Sequence, residues 1–325
     1  MYKNPPPHFI LSAEVSRAIS LSLPVVALES TVITHGLPHP QNLSLASDME
    51  AGVRNLGATP ATIAVLGGNV HIGLSNAQLE ELAYASRRQS LPGSPAPAGE
   101  TPLLKISRRD FARAITKHWT GGTTVAGTMF AASQVGIRVF ATGGIGGVHE
   151  VESLDVSTDL VALAETPMYV ICAGAKAILN LPATLEYLET HGVPVIGYQT
   201  DEFPAFYSRE SGLPVSARVD SPEEAVAFAR AHWEIGMKSA VLICQPLPPR
   251  DALERVKVEA AIQQARKDAR RQKIHGQALT PFLLARLVEL TGGDSLRANL
   301  ALLLNNAHLA AEIARADRAG QSKLV

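Results

Sequence analysis

The sequence has little that points to nucleic acid, a membrane or an exported protein. Lysine and arginine number 29 against 30 aspartate and glutamate residues, so the net charge of −1 offers no general attraction for DNA, RNA or an anionic membrane. No run approaches the about 20 apolar residues of a membrane span. Three prolines, Pro5 to Pro7, stand where a signal peptide has its apolar segment. These absences predict a soluble, cytoplasmic protein that holds any anionic substrate by a local site.

Cysteine is also scarce, with Cys172 and Cys244 the only two. Each lies in an apolar run, and neither belongs to a CxxC or cysteine–histidine pattern that would bind zinc. We therefore expect both to be buried, reduced thiols in strands.

Aromatic residues make up only 5% of the chain, but 46% of its 325 residues are hydrophobic, which is ample for a globular core. We expect a single domain over residues 1–325. A proline-, glycine- and serine-rich stretch predicts a surface insertion at 86–102. The charged stretch 250–273 is predicted to be a helix with a solvated face rather than a nucleic-acid patch, since glutamate and aspartate interleave its basic residues.

Short runs rich in valine and isoleucine alternate with segments of helical periodicity. The runs are typical of buried strands and cover 24–30, 61–68, 137–144, 168–174, 194–200 and 239–247. This alternation favours an α/β fold of α/β/α layers, with a mostly parallel central sheet flanked by helices. Ligand sites in such sheets lie at the carboxyl ends of the strands.

Lys176 falls in that zone, two residues beyond the run that ends at Gly174. A strand followed by a helix would place it near a helix N-terminus, where the dipole and partial desolvation both disfavour an ammonium ion. A neutral amine in a cleft is what Schiff-base chemistry requires. The alternative is a lysine that extends to water over an apolar surface.

The segment LDVSTDLVALAE alternates Asp155, Ser157 and Asp159, which would share one face of an extended chain. Two carboxylates and a hydroxyl suit an oxygen-ligated Mg²⁺ or Mn²⁺. Helix capping before LVALAE explains the same residues equally well, and the two roles are compatible.

Two glycine clusters, at 120–128 and 141–150, lack the patterns of a P-loop or a dinucleotide fingerprint. Glycine- and threonine-rich turns at strand ends nevertheless form backbone N–H nests for phosphate, although most such turns bind nothing. Lys105 would add a point charge to such a site.

Glu29 ends the apolar run PVVAL and is either a structural cap or a catalytic acid or base. The nearby His35 and His39 have a spacing that would suit zinc on a helix. Gly36, Pro38 and Pro40 prevent a helix there, so we reject a metal site at this pair.

Nine sequence blocks, in order along roughly residues 10 to 315, resemble those of pseudouridine-5′-phosphate glycosidases, a group that includes indigoidine synthase A-like proteins. They are ALESTVITHGLPHPQN, GATPATIAVLGGNVHIGL, KISRRD, TTVAGTM, RVFATGGIGGVH, DVSTDL, CAGAKAILN, VIGYQTDEFPAFY and TPFLLARLVELTGGDSLRANLALLLNNAHLAAEIA. The resemblance implies the family's own α/β/α fold, a homotrimer, and a reversible Mn²⁺-dependent reaction. That reaction interconverts pseudouridine 5′-phosphate plus water and uracil plus ribose 5-phosphate.

By the same resemblance, Lys176 would be the Schiff-base nucleophile and Glu29 the general acid/base. Asp155 would be the protein ligand of one mostly water-coordinated Mn²⁺ per subunit. Substrate contacts are implied for a larger set, with Thr142 and His149 near the phosphate and Asn299 near the base; the set is Lys105, Val125, Thr142, His149, Ser157, Thr158, Asp159 and Asn299.

Two stretches depart from the family pattern. The loop before Lys105 is longer than usual, which fits a surface insertion. After His149 the family usually has a run like Arg-Gly-Ala-Glu, whereas Glu150 and Val151 follow here, and the loop to Asp155 is about two residues short. An acidic group beside a phosphate is unfavourable, so this loop predicts either an altered phosphate affinity or a different substrate.

Three functions are therefore weighed. The first is the C-nucleotide glycosidase. Ordinary glycosidases use a pair of carboxylates to protonate a leaving oxygen, but a carbon–carbon bond has no such oxygen, so an amine is needed. The second is a Schiff-base lyase or aldolase-like enzyme acting on another sugar phosphate. The third, a non-catalytic binding protein, predicts a missing site residue, yet Glu29, Asp155 and Lys176 are all present. No kinase domain accompanies the predicted domain, so we expect another protein to phosphorylate pseudouridine.

Overall fold

The computed structural model describes residues 5–89, 103–149, 155–274 and 279–322. Most of the insertion predicted at 86–102 lies outside these ranges. So do Glu150 and Val151 of the short loop.

Eleven strands in the described residues form one sheet. They are β1 (Phe9–Leu11), β2 (Val25–Glu29), β3 (Thr59–Leu66), β4 (Asn69–Ile72), β5 (Leu104–Ile106), β6 (Gly121–Thr123), β7 (Val139–Ala141), β8 (Tyr169–Cys172), β9 (Val195–Tyr198), β10 (Ala217–Val219) and β11 (Val241–Cys244).

The strand order is β1-β4-β3-β2-β7-β8-β11-β9-β10, and β5 and β6 branch from β3. Neighbouring strands are parallel except at the β3–β4 and β3–β6 pairs. The mostly parallel sheet and all six predicted strands are confirmed, although most of the strands are shorter than predicted. In the run 137–144, for example, Thr142 to Gly144 leave the sheet after β7 and enter the edge where the candidate site lies.

Eleven α-helices accompany the sheet in the described residues. They are α1 (Ala13–Ser20), α2 (Gln41–Asn55), α3 (Asn76–Gln89), α4 (Phe111–Thr116), α5 (Val125–Gln134), α6 (Thr158–Glu165), α7 (Leu181–Thr190), α8 (Pro222–Glu234), α9 (Arg255–Arg271), α10 (Leu279–Leu290) and α11 (Asp294–Ser322). A short π-helical turn, Val32–Gly36, and a 3₁₀ turn, Arg108–Asp110, complete the set.

The helix starts follow from local polar residues. Side-chain oxygens accept the orphan backbone N–H groups at the first turn of six helices, and these N-caps are Ser12, Ser75, Thr124, Ser157, Asn180 and Ser221. Pro222 occupies the first position of α8, where its missing N–H costs nothing.

Two helical layers cover the sheet. The long α11 packs on α2 and α8 and on the central strands β2, β7 and β8, while α5 packs on α6, β2 and β3. The buried aliphatic residues of the central strands fill the space between these layers. No helix in the described ranges is both long and apolar enough to cross a membrane.

Cys172 and Cys244 are fully buried and face each other across β8 and β11. Their sulfur atoms are 3.9 Å apart, and both are free thiols. The prediction of buried, reduced cysteines in strands is confirmed.

Candidate active site

Three adjacent parallel strands, β2, β7 and β8, bring the central residues of the site to one edge of the sheet. Glu29 is the last residue of β2, Thr142 follows β7 directly, and Lys176 follows β8 by a short turn. The carboxyl ends of these strands meet at that edge. The predicted position of Lys176 there is confirmed.

Glu29 is a buried carboxyl group, 9% exposed, that accepts a short hydrogen bond from the hydroxyl of Thr142. Burial raises its pKa; the positive charge of Lys176 and the bond from Thr142 oppose this rise, while the charge of Asp159 adds to it. The result favours the protonated form, so Glu29 is suited to donate a proton.

Lys176 is carried by a turn that the neighbouring strand end holds in place. Its backbone N–H donates to the carbonyl of Ile145 at 3.1 Å, and Ala175 pairs with Ile145 in a parallel bridge. Gly174 has a φ of +86°, and a Cβ there would clash with the carbonyl oxygen of Pro204. Only glycine fits this close approach, which fixes the backbone two residues before the amine.

The expectation that Lys176 lies at a helix N-terminus is wrong. Helix α7 begins at Leu181 with Asn180 as its N-cap, and Lys176 precedes that cap by a turn of irregular backbone. The dipole effect falls off within the first turn, so the environment of the amine is set instead by the cavity that it lines. Phe206 and Leu303 are buried apolar walls of that cavity.

That cavity, of about 70 Å³, gathers residues from distant parts of the chain. Glu29, Lys105, Lys176 and Asn299 all line it. The pKa of Lys105 is lowered, first by burial in the cleft and then by the charge of Lys176. Two amines and one carboxyl group therefore lie within electrostatic reach of one another.

Two larger spaces adjoin this cavity. One, of about 380 Å³, shares His35, Pro281, Leu284 and Asn299 with it. The other is a groove of about 880 Å³ that begins at His149 and at the residue after Lys176. Ligand sites usually measure about 300–1,000 Å³, so the cavity at Glu29 and Lys176 alone is small for a nucleotide.

The residues of the DVSTD segment do not share one face. Ser157 is the N-cap of α6 and accepts the N–H of Asp159, so the chain turns into a helix after it. The buried Asp159 carboxylate accepts backbone N–H groups from Ala126 at 3.0 Å and Gly146 at 2.8 Å. Asp155 instead remains exposed. The predicted extended face is wrong because capping ends the extended chain at Ser157, and the capping alternative is confirmed.

Asp155 decides whether this chain could hold a metal ion here. No group of three or more His, Cys, Asp or Glu side chains in the described residues is arranged to bind a metal. Asp155 forms no ion pair within those residues, and its exposed carboxylate is a hard oxygen ligand. The donor set fits a Mn²⁺ or Mg²⁺ ion that keeps most of its water, and it does not fit a closed all-protein site.

The remaining predicted contact residues border the same edge. Val125 is the first residue of α5, and the N–H groups of the two residues after it already donate to Asp159 and Thr124. The exposed hydroxyl of Thr158 lies 3.0 Å from that of Ser107. The N–H of His149 donates to the carbonyl of Asp155. Burial lowers the pKa of His149; the charge of Asp155 opposes this, and nearby cations add to it.

Sequence reasoning missed several residues of the site. Phe206 and Leu284 line the cavity, and Asn306 donates to the carbonyl of Thr142 at 2.8 Å. His35, considered only as a zinc ligand, is a wall of the cavity. All four lie within the family-like blocks, which was the available signal, but no local pattern distinguishes them from core residues.

Comparisons with known proteins agree on one family. The profile described as "Indigoidine synthase A like protein" matches residues 14–316. Two curated relatives are named pseudouridine-5′-phosphate glycosidase. The one from Solibacter usitatus is 51% identical over 309 residues, covering 94% of this chain and 98% of the relative. The one from Geobacillus kaustophilus is 49% identical over 308 residues, covering 94% and 97%.

Two solved structures share the fold over nearly the whole chain. The prealnumycin C-glycosynthase AlnA in complex with ribulose 5-phosphate is 39% identical with a TM-score of 0.86, covering 98% of this chain and 100% of that one. An indigoidine synthase A-like protein from Thermotoga maritima is 32% identical with a TM-score of 0.83, covering 97% and 98%. The chain therefore belongs to the indigoidine synthase A-like family.

Proposed function

We propose that this protein cleaves the carbon–carbon glycosidic bond of pseudouridine 5′-phosphate reversibly, giving uracil and ribose 5-phosphate. The observation that carries the proposal is the meeting of Glu29 and Lys176 in one cavity with Lys105. An amine, a carboxyl group whose pKa is raised by burial, and a neighbouring cation are the groups that the reaction needs. The names of the curated relatives support the same substrate.

In the proposed mechanism the amine of Lys176 attacks C1′ of the ribose. The bond from C1′ to the ring oxygen breaks as Glu29 gives its proton to that oxygen, which opens the sugar. The raised pKa of Glu29, caused mainly by its burial, keeps this proton available. The hydrogen bond from Thr142 fixes the carboxyl group for the transfer.

Bond cleavage then follows without a leaving oxygen. The attached nitrogen gives a proton to the Glu29 carboxylate that ring opening has left. Its lone pair then forms a double bond to C1′, the bond from C1′ to uracil C5 breaks, and C5 takes up the proton from Glu29. The imine on Lys176 is hydrolysed by water, which releases ribose 5-phosphate and regenerates the amine. The apolar walls at Phe206 and Leu303 limit the access of bulk water until uracil has left.

Asp155 would hold the Mn²⁺ ion that we include in the proposal, with water as its other ligands. When bound, such an ion supplies positive charge that orients a phosphate. The exposure of Asp155 suits an ion that exchanges with solvent.

Borohydride trapping tests the chemistry. The protein is incubated with Mn²⁺ and ribose 5-phosphate, reduced, and weighed by intact mass spectrometry beside Lys176→Ala and Glu29→Gln variants. We expect one sugar-phosphate adduct on the wild type and none on Lys176→Ala. Glu29→Gln should lose about 10²–10⁴-fold in uracil release, the usual contribution of a positioned acid. An adduct on Lys176→Ala would contradict the assignment of the nucleophile.

A second candidate is the same imine chemistry on another sugar phosphate, by a lyase or aldolase-like enzyme. The similarity to a C-glycosynthase solved with ribulose 5-phosphate favours it. Assays of uracil release from pseudouridine 5′-phosphate, beside a panel of pentose phosphates, separate the two. Trapping of several pentose phosphates without uracil release would favour the second candidate.

We further propose that the protein is a cytoplasmic homotrimer, as the family resemblance implies. Light scattering coupled to size-exclusion chromatography tests the assembly through its mass. A mass near three times the chain's 34.5 kDa is expected, and a monomer would contradict the proposal.

A further inference from the structure

The groove of about 880 Å³ beside the catalytic cavity is bordered by basic side chains of α9. Arg255, Arg266 and Arg270 line it, with His149 and Asn180 at the end close to Lys176. Arg255 is paired with Glu259 at 2.6 Å, and Arg270 is exposed. Arg266 is half-buried and forms no ion pair within the described residues. The predicted helix with a solvated, charged face is confirmed, and Arg266 is a half-buried exception at the border of that face.

Arg266 is tied to the turn that carries the proposed nucleophile. Its Nη2 donates to the carbonyl oxygen of Ile178 at 2.8 Å, two residues after Lys176. A guanidinium has five N–H donors in a planar fork. The single bond to Ile178 fixes the group in place and leaves further donors for an anion in the groove.

Positive charge converges at this end of the groove. Among the described residues, the positive charges of Arg266 and Lys105 act on His149, as does that of Lys176 while its amine is protonated, and the carboxylate of Asp155 opposes them. Two cations that the mechanism leaves charged, beside a partly buried imidazole, make a site for an anion. Glu150, which follows His149 in the chain, cannot supply a cation to that site.

We propose that Arg266 binds the substrate's phosphate at the His149 end of this groove, supplying from α9 the positive charge that the short loop after His149 lacks. The inference rests on the proposed function and names a specificity residue for it. Planar, multidentate recognition of phosphate is the ordinary use of an arginine held in this way.

The test compares Arg266→Gln and Arg266→Lys with Arg255→Gln, a control on the same helix and groove. Glutamine keeps an N–H donor on a shorter side chain but loses the charge, whereas lysine retains the charge. Each variant is assayed for KM and kcat with pseudouridine 5′-phosphate and for binding of inorganic phosphate by calorimetry. Borohydride trapping is then compared between ribose 5-phosphate and unphosphorylated ribose at high concentration.

We expect Arg266→Gln to raise KM and weaken phosphate binding by at least about tenfold, the scale of one charge-assisted hydrogen bond. For Arg266→Gln, kcat and the trapping of ribose should stay within about threefold of the wild type. Arg266→Lys should recover part of the lost phosphate binding, and Arg255→Gln should change KM and phosphate binding little. A fall in kcat and in ribose trapping at unchanged KM would overturn the proposal and leave Arg266 as a positioning residue for the turn. An equal loss in Arg255→Gln would overturn it as well.

The phosphate measurement separates this inference from the proposed function. A wild type that releases no uracil, while Arg266→Gln still loses phosphate affinity, would refute the function and support the anion site. A wild type that releases uracil but binds phosphate no better than Arg266→Gln would refute the site alone.

Discussion

Asp159 and Asp155, four residues apart, should respond in opposite ways to the same substitution. The carboxylate of Asp159 is 5% exposed and accepts one N–H from the start of α5 and one from the glycine turn at Gly146. Asparagine at 159 retains one acceptor oxygen, but its amide nitrogen then faces the other backbone N–H. One charge-assisted bond is lost, at about 1.5–3 kcal/mol, and a buried N–H is left unpaired, at about 1–3 kcal/mol.

We therefore expect Asp159→Asn to lower the free energy of unfolding by about 3 kcal/mol. The assay is urea denaturation in chelator, followed by the fluorescence of Trp119 and Trp233, with the slope m compared between proteins. Chelation removes any contribution of a bound ion to the comparison. Activity should fall together with stability, because the same carboxylate holds the turn between Thr142 and His149.

Asp155→Asn is the matched control. Its side chain is exposed and makes no ion pair in the described residues, so the change in unfolding free energy should stay within about 0.5 kcal/mol. The expected effect is instead a loss of Mn²⁺ activation, measured as the metal concentration that gives half-maximal uracil release. An Asp159→Asn protein within about 1 kcal/mol of the wild type would refute the reasoning, as would an equal destabilisation by Asp155→Asn.

Three further predictions concern the same edge of the sheet. Thr142→Val removes a hydrogen bond that lowers the pKa of Glu29, so that pKa should rise further. Because the proposed acid must be protonated to act, the high-pH limb of the kcat/KM profile should move to higher pH. A limb that does not move would count against Glu29 as the acid. Gly174→Ala places a Cβ at positive φ against the carbonyl oxygen of Pro204. It should lower the unfolding free energy by about 2 kcal/mol or more and reduce imine trapping at Lys176. Normal trapping would show that the turn accommodates the added Cβ without moving Lys176. Asn306→Leu leaves the carbonyl of Thr142 without its donor and should cost about 1–3 kcal/mol in thermal or urea unfolding, whereas a neutral change would show that solvent replaces the amide.

The central strands and the location of the site could be predicted because they depend on local patterns. Apolar runs such as PVVAL and YVIC are long enough to identify buried strands, and parallel pairing then places their carboxyl ends together. Glu29 and Lys176 end or follow such runs. Their proximity is therefore a consequence of strand order, which alternation of strands and helices already indicates.

The side-chain positions that could not be predicted depend on where a strand or extended segment ends and a helix begins. The alternation of Asp155, Ser157 and Asp159 puts their side chains on one face only if the chain stays extended. The hydrogen bond from the N–H of Asp159 to the hydroxyl of Ser157 ends the extended conformation. Likewise, the turn from Gly174 to Asn180 separates Lys176 from the helix expected beside it. Each error is a boundary error of a few residues, and each changes which element a side chain belongs to.

Contacts between distant segments were also beyond the sequence pattern. Arg266 reads as one more basic residue on a charged helix, and only the packing of α9 against the Lys176 turn gives its guanidinium a partner at Ile178. Leu284 and Leu303 reach the cavity because α10 and α11 close over it. Tertiary packing selects these residues from many with the same local spacing.

The charges at the site suggest why two lysines are present. Lys105 and Lys176 repel each other, and the pKa of Lys105 is lowered by burial and by the charge of Lys176. A phosphate bound near Lys105 would supply the opposite charge and favour its ammonium form. Lys176 is the less exposed of the two and lies against the walls at Phe206 and Leu303. Binding of a phosphorylated sugar would thus give the two lysines different roles, with Lys105 adding to the positive charge that Arg266 presents to the anion and Lys176 attacking C1′ of the sugar.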